Sequence, residues 1–338
     1  MTSALALAID LGGTKVEAAL VDPRGAILPG TRFRQPTGPI RSSAELAASV
    51  DGVVAQALAS LPAGAELIGI GIGAAGPIAV REGAVSPLNL AAWRRYPLRD
   101  QVHALVQKTA PGVPITLRMD GLCITLAEHW IGAAQGVDNV MGMVVSTGVG
   151  GGLILGGQTV AGPSGNAGHI GHIEVAGFDD PCPCGGHGCL EAIASGPHTV
   201  AWARTQGFTG RTGEELGAAY AAGDEVAVRA VRRSGTAVGR AIASATALLD
   251  LELVAIGGGF SHVTPDLFGF IAEPIAQRTE FDYIREKSTN RDVLEAQEQV
   301  VLAENAYDIA LVQAKINQLK LLNYIGRLAI DPEGAWLR

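Results

Sequence analysis

Cys182, Cys184 and Cys189 stand in a C-x-C-x4-C array, and theirs are the side chains of this sequence that most plainly could do chemistry. The surrounding loop is rich in Gly and Pro, tight enough to turn three thiolates toward one point, and His172 upstream can complete the set. Three thiolates and one imidazole suit tetrahedral zinc. The same cysteines could be small residues in a turn or form a disulfide, but the chain has only four Cys, and spacing this close is of the metal-binding kind. A second kind of chemistry is suggested at Asp10-Leu-Gly-Gly-Thr-Lys15. Gly12 and Gly13 let backbone N–H groups approach a phosphate, while Thr14 adds a hydroxyl and Lys15 a positive charge. A plain hairpin turn would use the same glycines, and the motif is not a Walker A loop, which needs G-x4-G-K-[ST] before a helix.

The elements that must position these groups follow from hydrophobic period. The run ALALAIDL at 4–11 and a second run at 16–21 make the Asp10 motif the turn of a β-hairpin. A strand at 140–145, the turn Ser146-Thr-Gly-Val-Gly-Gly-Gly152 and an apolar run ending at Leu155 repeat that design. Thr147, Gly148 and Gly150 are the phosphate-side residues of this second hairpin, and two such hairpins can clamp a triphosphate from both sides. Apolar spacing predicts helices over 43–59, 102–107, 198–204 and 213–222, and a long Ala-rich helix or helix pair over 224–249. Buried strands are expected at 67–72, 113–117 and 253–256, with turns leaving them at Gly73-Ala-Ala-Gly-Pro-Ile78 and Gly257-Gly-Gly259. Such strand ends are where α/β folds place ligands.

Two segments carry a family likeness: Gly165-Asn-Ala-Gly-His-Ile-Gly-His172, and Cys184-Gly-Gly-His-Gly-Cys-Leu-Glu191. They resemble the paired G-x-x-G-E-I-G-H and C-G-x-x-G-C-x-E signature of the ROK (repressor, open reading frame, kinase) sugar kinases. The resemblance implies a two-lobed actin-like α/β fold with ATP and sugar in the cleft between the lobes, magnesium, and a structural zinc that holds the sugar loop. It implies sugar contacts from His169, His172 and Glu191, and from Asn89 in the segment Pro87-Leu-Asn-Leu-Ala-Ala-Trp93. It places Asp10 near the magnesium and Gly258 against the adenosine, and makes Asp120 the base that accepts the proton of the sugar hydroxyl, the 6-hydroxyl in glucokinase-like members. Around Asp120 the family reads Asn-Asp-x-Asn, whereas this chain has Met119 and Leu122 at the Asn positions. At least one sugar hydrogen bond is therefore expected to be missing. His169 stands where most of the family has Glu, and the A-G-H-I-G-H reading is that of bacterial N-acetylmannosamine kinases, so both a hexose and an N-acetylated sugar fit. A catalytically silent sugar-binding protein or a sugar-responsive repressor remains as an alternative. Repressors carry a helix-turn-helix ahead of the first hairpin, for which Asp10 leaves no room.

With 338 residues, two lobes are the default: 1–117 and 118–283, followed by an atypical segment over 284–338. A net charge of −8 argues against a nucleic-acid surface, which needs a basic patch. The scarcity of cysteine argues against a disulfide framework, and the apolar stretch before Asp10 is too short for a signal peptide or a membrane span. A cytoplasmic protein that does not associate with membranes is expected. From Ser288 the family pattern gives way. Val293, Val300, Tyr307, Ala314 and Leu321 recur at sevens, with Ala296, Ala303 and Ala310 three places on, as a heptad seam in a long helix. That segment resembles the helical-barrel part of outer-membrane efflux channel proteins, and an unpaired seam would favour self-association into a homo-oligomer.

Overall fold

Leu5, Leu7, Ile9 and Leu11 alternate with small or polar residues, and in β1 (Ala4–Leu11) all four are buried. In the computed structural model, residues 4–286, 303–304 and 310–312 are described. Strand β2 (Lys15–Val21) returns antiparallel to β1, and β3 (Phe33–Pro36) adds antiparallel to β2. Helix α1 (Ser43–Ala59) starts at a capping box formed by Ser42 and Glu45 and buries Leu46, Val50, Val53 and Val54. It leads to β4 (Glu66–Ala74), parallel to β1. A two-stranded ribbon, β5 (Ile78–Ala79) and β6 (Ala84–Val85), precedes α2 (Leu98–Val106). Strand β7 (Ile115–Met119) lies parallel to β4 and runs directly into α3 (Asp120–Ile131). The sheet order is β3-β2-β1-β4-β7.

The second sheet repeats this plan. Strands β8 (Val140–Val145), β9 (Val149–Leu155) and β10 (Gln158–Thr159) stand beside β11 (Leu253–Gly257), which is parallel to β8. Between β10 and β11 come α4 (Leu190–Ala194), α5 (Gly196–Thr205), α6 (Gly213–Ala221) and α7 (Glu225–Leu249). After β11 comes α8 (Leu267–Glu286). The expected long helix over 224–249 is therefore one helix, capped by Asp224, whose side chain accepts from the Ala227 N–H at 2.8 Å.

Residue contacts divide the chain into two units. One holds residues 1–132, 151–153 and 159–169; the other holds 133–150, 154–158 and 170 onward. Helix α3 groups with the first unit, beyond the division expected after Leu117. The reason is covalent and local: β7 ends at Met119, α3 begins at the next residue, and the helix packs back on the sheet that β7 completes.

The heptad seam lies outside the described residues except at Ala303 and Ala310, and there it is not helical. Ala303 falls in β12 (Ala303–Glu304) and Ala310 in β13 (Ala310–Val312), which pair antiparallel with each other. Strand β13 also pairs antiparallel with β11, so main-chain hydrogen bonding to a sheet edge overrides the helical period at these positions. No described helix is long and apolar enough to cross a membrane.

Candidate active site

The first unit gathers its polar groups where β1, β4 and β7 end. One row across the sheet reads Arg34, Glu17, Asp10, Gly73 and Arg118, each the register partner of the next. Cys123, one turn into α3, closes over this row, with its Sγ 3.3 Å from where a Cβ on Gly73 would stand. Burial pushes the Cys123 thiol up to about 11, and the charges of Asp120 and Asp10 push the same way. Asp10 is the register partner of Gly73, and Asp120 follows Met119, the partner of Ala74, so the expected magnesium residue and the expected base stand at neighbouring strand ends. Asp120 is the first residue of α3, after an N-cap at Met119, and its Oδ1 accepts from the Gly121 N–H at 2.7 Å.

The hairpin turn is braced from its own side. Gly12 donates to the Lys15 carbonyl at 2.9 Å, and the Thr37 hydroxyl donates to the Gly12 carbonyl at 2.8 Å. Thr14 is exposed, and its carbonyl accepts from the Thr37 N–H at 2.9 Å. Asn89 lies against Gly13, because a Cβ at Gly13 would stand 2.2 Å from its Nδ2. The loop carrying Asn89 is fixed by Trp93, which is fully buried, stacks on Tyr96 at 3.9 Å and donates from Nε1 to the Ser43 hydroxyl at 3.1 Å. The loop carrying Asn89 and the turn of the first hairpin are thus brought together, which the sequence alone does not disclose.

Met119 and Leu122 are both buried to 1 % exposure, so the two positions that depart from the family pattern join the core and offer no polar group. The Met119 Sδ, the His169 Cε1 and Asn166 close around Gly76, at 3.3, 3.4 and 3.7 Å from the place of its missing Cβ. Asn166 was not singled out by motif. Its amide pairs with Ile78 as a strand would, accepting from the N–H at 2.8 Å and donating to the carbonyl at 2.7 Å. That bond ties the loop carrying His169 to the turn after β4.

Glu17 is a second residue without a motif signal, though a lone Glu in the apolar run KVEAALV is itself a cue. It is buried, and Lys15 (3.1 Å), Arg32 (2.6 Å) and Arg34 all donate to its carboxylate. Lys15 is therefore held by Glu17 beside the hairpin. Burial alone would raise Glu17, but the hydrogen bonds from Arg32 and Lys15 outweigh it and bring the carboxyl down from 4.5 to about 2. The same charge, after burial, helps to raise Asp10, against Lys15 and Arg32. Because the folded-state value of Glu17 is depressed, its stabilisation is present above pH 4.5 and is lost as pH falls toward 2. Its cationic partners are roughly half exposed, and screening reduces the effect to about 1–2 kcal/mol. Melts of Glu17→Gln should lie below wild type by that amount at pH 7 and converge with it near pH 2. A gap that stays constant with pH would contradict the ion-pair account.

The second unit holds a group of residues that could bind a metal ion. His172, Cys182, Cys184 and Cys189 bring their ligand atoms within 4.8 Å of one another. His172 Nδ1 lies 3.7 Å from Cys182 Sγ, and the Cys184 and Cys189 sulfurs are 3.6 Å apart. Tetrahedral zinc with bonds near 2.3 Å needs edges of about 3.8 Å, so the set fits the ion. All three thiols are free, which removes the disulfide alternative. Burial raises Cys182 and, together with the neighbouring thiols, pushes Cys189 up to about 12, whereas the Gly186 N–H lowers Cys184. Zinc must displace these protons to bind thiolates. Titrating the metal-free protein with zinc at pH 7 should release about two to three protons per ion, read with an indicator dye. Proton-neutral binding would contradict a three-thiolate site.

Glu191, in the first turn of α4, accepts from the Val149 N–H at 2.9 Å and lies 2.6 Å from where a Cβ on Gly148 would stand. The start of α4, directly after the last Cys, is thereby fastened to the second glycine hairpin. Thr147 is exposed at the tip of that hairpin, and Gly150 lies within β9. Gly258 leaves β11 at φ 104° against the Val145 carbonyl, where a Cβ would come to 2.6 Å, so both the backbone conformation and the space require glycine.

A family model described as the ROK family matches residues 6–299, so the match runs past Ser288, where the family pattern was expected to give way. The chain is 31% identical over 274 residues to a glucokinase of Streptomyces coelicolor, covering 76% of this chain and 82% of that protein. It is 33% identical over 258 residues to an N-acetylmannosamine kinase of Yersinia pseudotuberculosis, covering 75% and 82%. A ROK family glucokinase from Streptomyces griseus, solved with glucose and AMPPNP, superposes with a TM-score of 0.68 at 30% identity, over 81% of this chain and 89% of that one.

Proposed function

The chain belongs to the ROK family, and from that premise we infer that it is a sugar kinase, moving the γ-phosphoryl of ATP to a hydroxyl of a hexose or N-acetylhexosamine. The observation that carries the reading is the convergence of Asp10, Asp120 and the Gly12-Gly13 turn with its neighbour Asn89 at the ends of β1, β4 and β7. Asp120 takes the proton from the attacking hydroxyl. Its carboxylate suffices as a base because phosphoryl transfer depends mainly on positioning and charge neutralisation. Asp10 is assigned to magnesium entering with the nucleotide, which when bound would supply part of that neutralisation. Phosphate and nucleotide contacts are assigned to Gly12, Gly13, Thr14 and Lys15 in the first unit, and to Thr147, Gly148, Gly150 and Gly258 in the second. Zinc on His172 and the three cysteines is structural and holds the loop that leads to Glu191.

Asn89, His169, His172 and Glu191 are assigned to the sugar. With Met119 and Leu122 in the core, these four carry its recognition. We favour a hexose phosphorylated at the 6-hydroxyl. The histidine at 169, in place of a carboxylate, favours N-acetylmannosamine as the second reading, since an imidazole removes a negative charge from that end of the sugar. Comparing kcat/KM for glucose, mannose, N-acetylglucosamine and N-acetylmannosamine with Mg-ATP separates the two. A preference for N-acetylmannosamine of tenfold or more would overturn the hexose assignment. The protein is proposed to be cytoplasmic and homo-oligomeric.

A further inference from the structure

Helix α7 touches the zinc-ligand loop and the short helix that follows it through consecutive residues, Arg233 and Ser234. Arg233 Nη2 donates to Asp180 Oδ2 at 2.5 Å, with the two side chains only 16% and 23% exposed. The guanidinium lies 5.1 Å from the ring centroids of both Phe178 and Trp202. Its Nη1 is buried without an acceptor, so the group is held by two rings and one carboxylate. Ser234, fully buried, donates to the Ala194 carbonyl at 3.1 Å, and Ala194 ends the short helix α4 that carries Glu191 in its first turn. Two turns further on, Arg240 donates to the Ala176 carbonyl at 2.8 Å.

Asp180 stands two residues before Cys182, and its carbonyl accepts from the Gly188 N–H at 2.9 Å, next to Cys189. One ion pair on α7 therefore reaches both ends of the ligand loop. We propose that Arg233 is a positioning residue for the zinc loop. By fixing Asp180 it sets where Cys182 and Cys189 stand, and through the latter where Glu191 stands, so that metal retention and sugar affinity both depend on it. The sugar half of this inference rests on the sugar-kinase reading; the metal half does not.

The test uses the full-length, zinc-loaded protein with Arg233→Met, Arg233→Lys, Asp180→Asn and the double variant. Arg232→Met, on the same helix but facing Glu273 at 3.0 Å, is the control. Zinc release to a chromophoric chelator is timed, and KM is measured separately for sugar and ATP. Arg233→Met and Asp180→Asn should each release zinc about tenfold faster, because the loop that carries the ligands is no longer fixed from α7. Each should raise the sugar KM by a similar factor and leave the ATP KM within about twofold. Arg233→Lys, which keeps the charge without the planar fork, should fall between. The double variant should be no worse than either single one.

Release and sugar KM at wild-type values would overturn the proposal. So would an equal rise in both KM values with a lowered Tm, which would mark general destabilisation. If Arg233→Met does not fold, the Lys and Asn variants carry the comparison. If the wild type phosphorylates no sugar, the kinase reading fails while zinc release still decides the positioning role.

Discussion

Asp120→Asn should be folded and zinc-loaded, with kcat about a thousandfold below wild type and both KM values within about threefold, as expected for losing a general base. The substitution is nearly silent structurally. Asp120 occupies the first position of α3, where its Oδ1 accepts from the Gly121 N–H, and an asparagine oxygen can accept the same bond. What disappears is the capacity to take a proton from the sugar hydroxyl. A thousandfold loss corresponds to about 4 kcal/mol in the barrier, within the range that one proton-transfer group supplies. A kcat within tenfold of wild type would mean that another group accepts the proton. A collapse of both kcat and Tm would mean that Asp120 holds the helix start and not the chemistry.

Gly152→Ala should be the most damaging substitution on the scaffold that holds Asp120. A Cβ at Gly152 would come 2.4 Å from the Leu122 Cα, and one at Gly121 would come 2.4 Å from the Gly151 carbonyl oxygen. Strand β9 and the first turn of α3 thus meet backbone to backbone, with glycine on both sides. The intruding methyl meets main chain and not a flexible side-chain tip, so α3 itself must move. Overpacking of this kind costs about 1–3 kcal/mol in stability, and a shift of the base by an ångström costs about a hundredfold in kcat. Thermal melts and kinetics on the same preparation check both. Gly239→Ala makes a comparable collision, 2.1 Å from the Ile271 carbonyl oxygen between α7 and α8, and should lower stability without changing the sugar KM. Normal kinetics in Gly152→Ala would show that the packing does not place the base.

The elements were legible because their periods are clean. Residues 43–59 show helical spacing and form α1 over the same span, and the alternating ALALAIDL run is strand β1. The candidate metal ligands were legible because three cysteines and a histidine, both scarce residue types here, crowd into residues 172–189. What stayed hidden depends on register or on empty space. Glu17 becomes a hub for Lys15, Arg32 and Arg34 only when β3 is laid against β2 with Arg34 opposite Glu17. Asn89 becomes a neighbour of the hairpin only because Gly13 has no Cβ, and an absent atom leaves no pattern in a sequence. The Arg233–Asp180 pair joins residues far apart in the chain through the docking of α7. At Ala303 and Ala310 the heptad period misleads, because pairing of β13 to the edge of β11, and of β12 to β13, decides the local structure there and periodicity does not.

The most direct measurement is sugar-dependent ADP formation by the wild-type, zinc-loaded protein with Mg-ATP, followed together with the phosphorylated product. The account predicts ADP and one sugar phosphate in equal amounts, with negligible ADP when sugar is left out. ADP formed at the same rate without sugar, or bound sugar with no ADP formed, would contradict a kinase in which Asp120 activates the sugar hydroxyl.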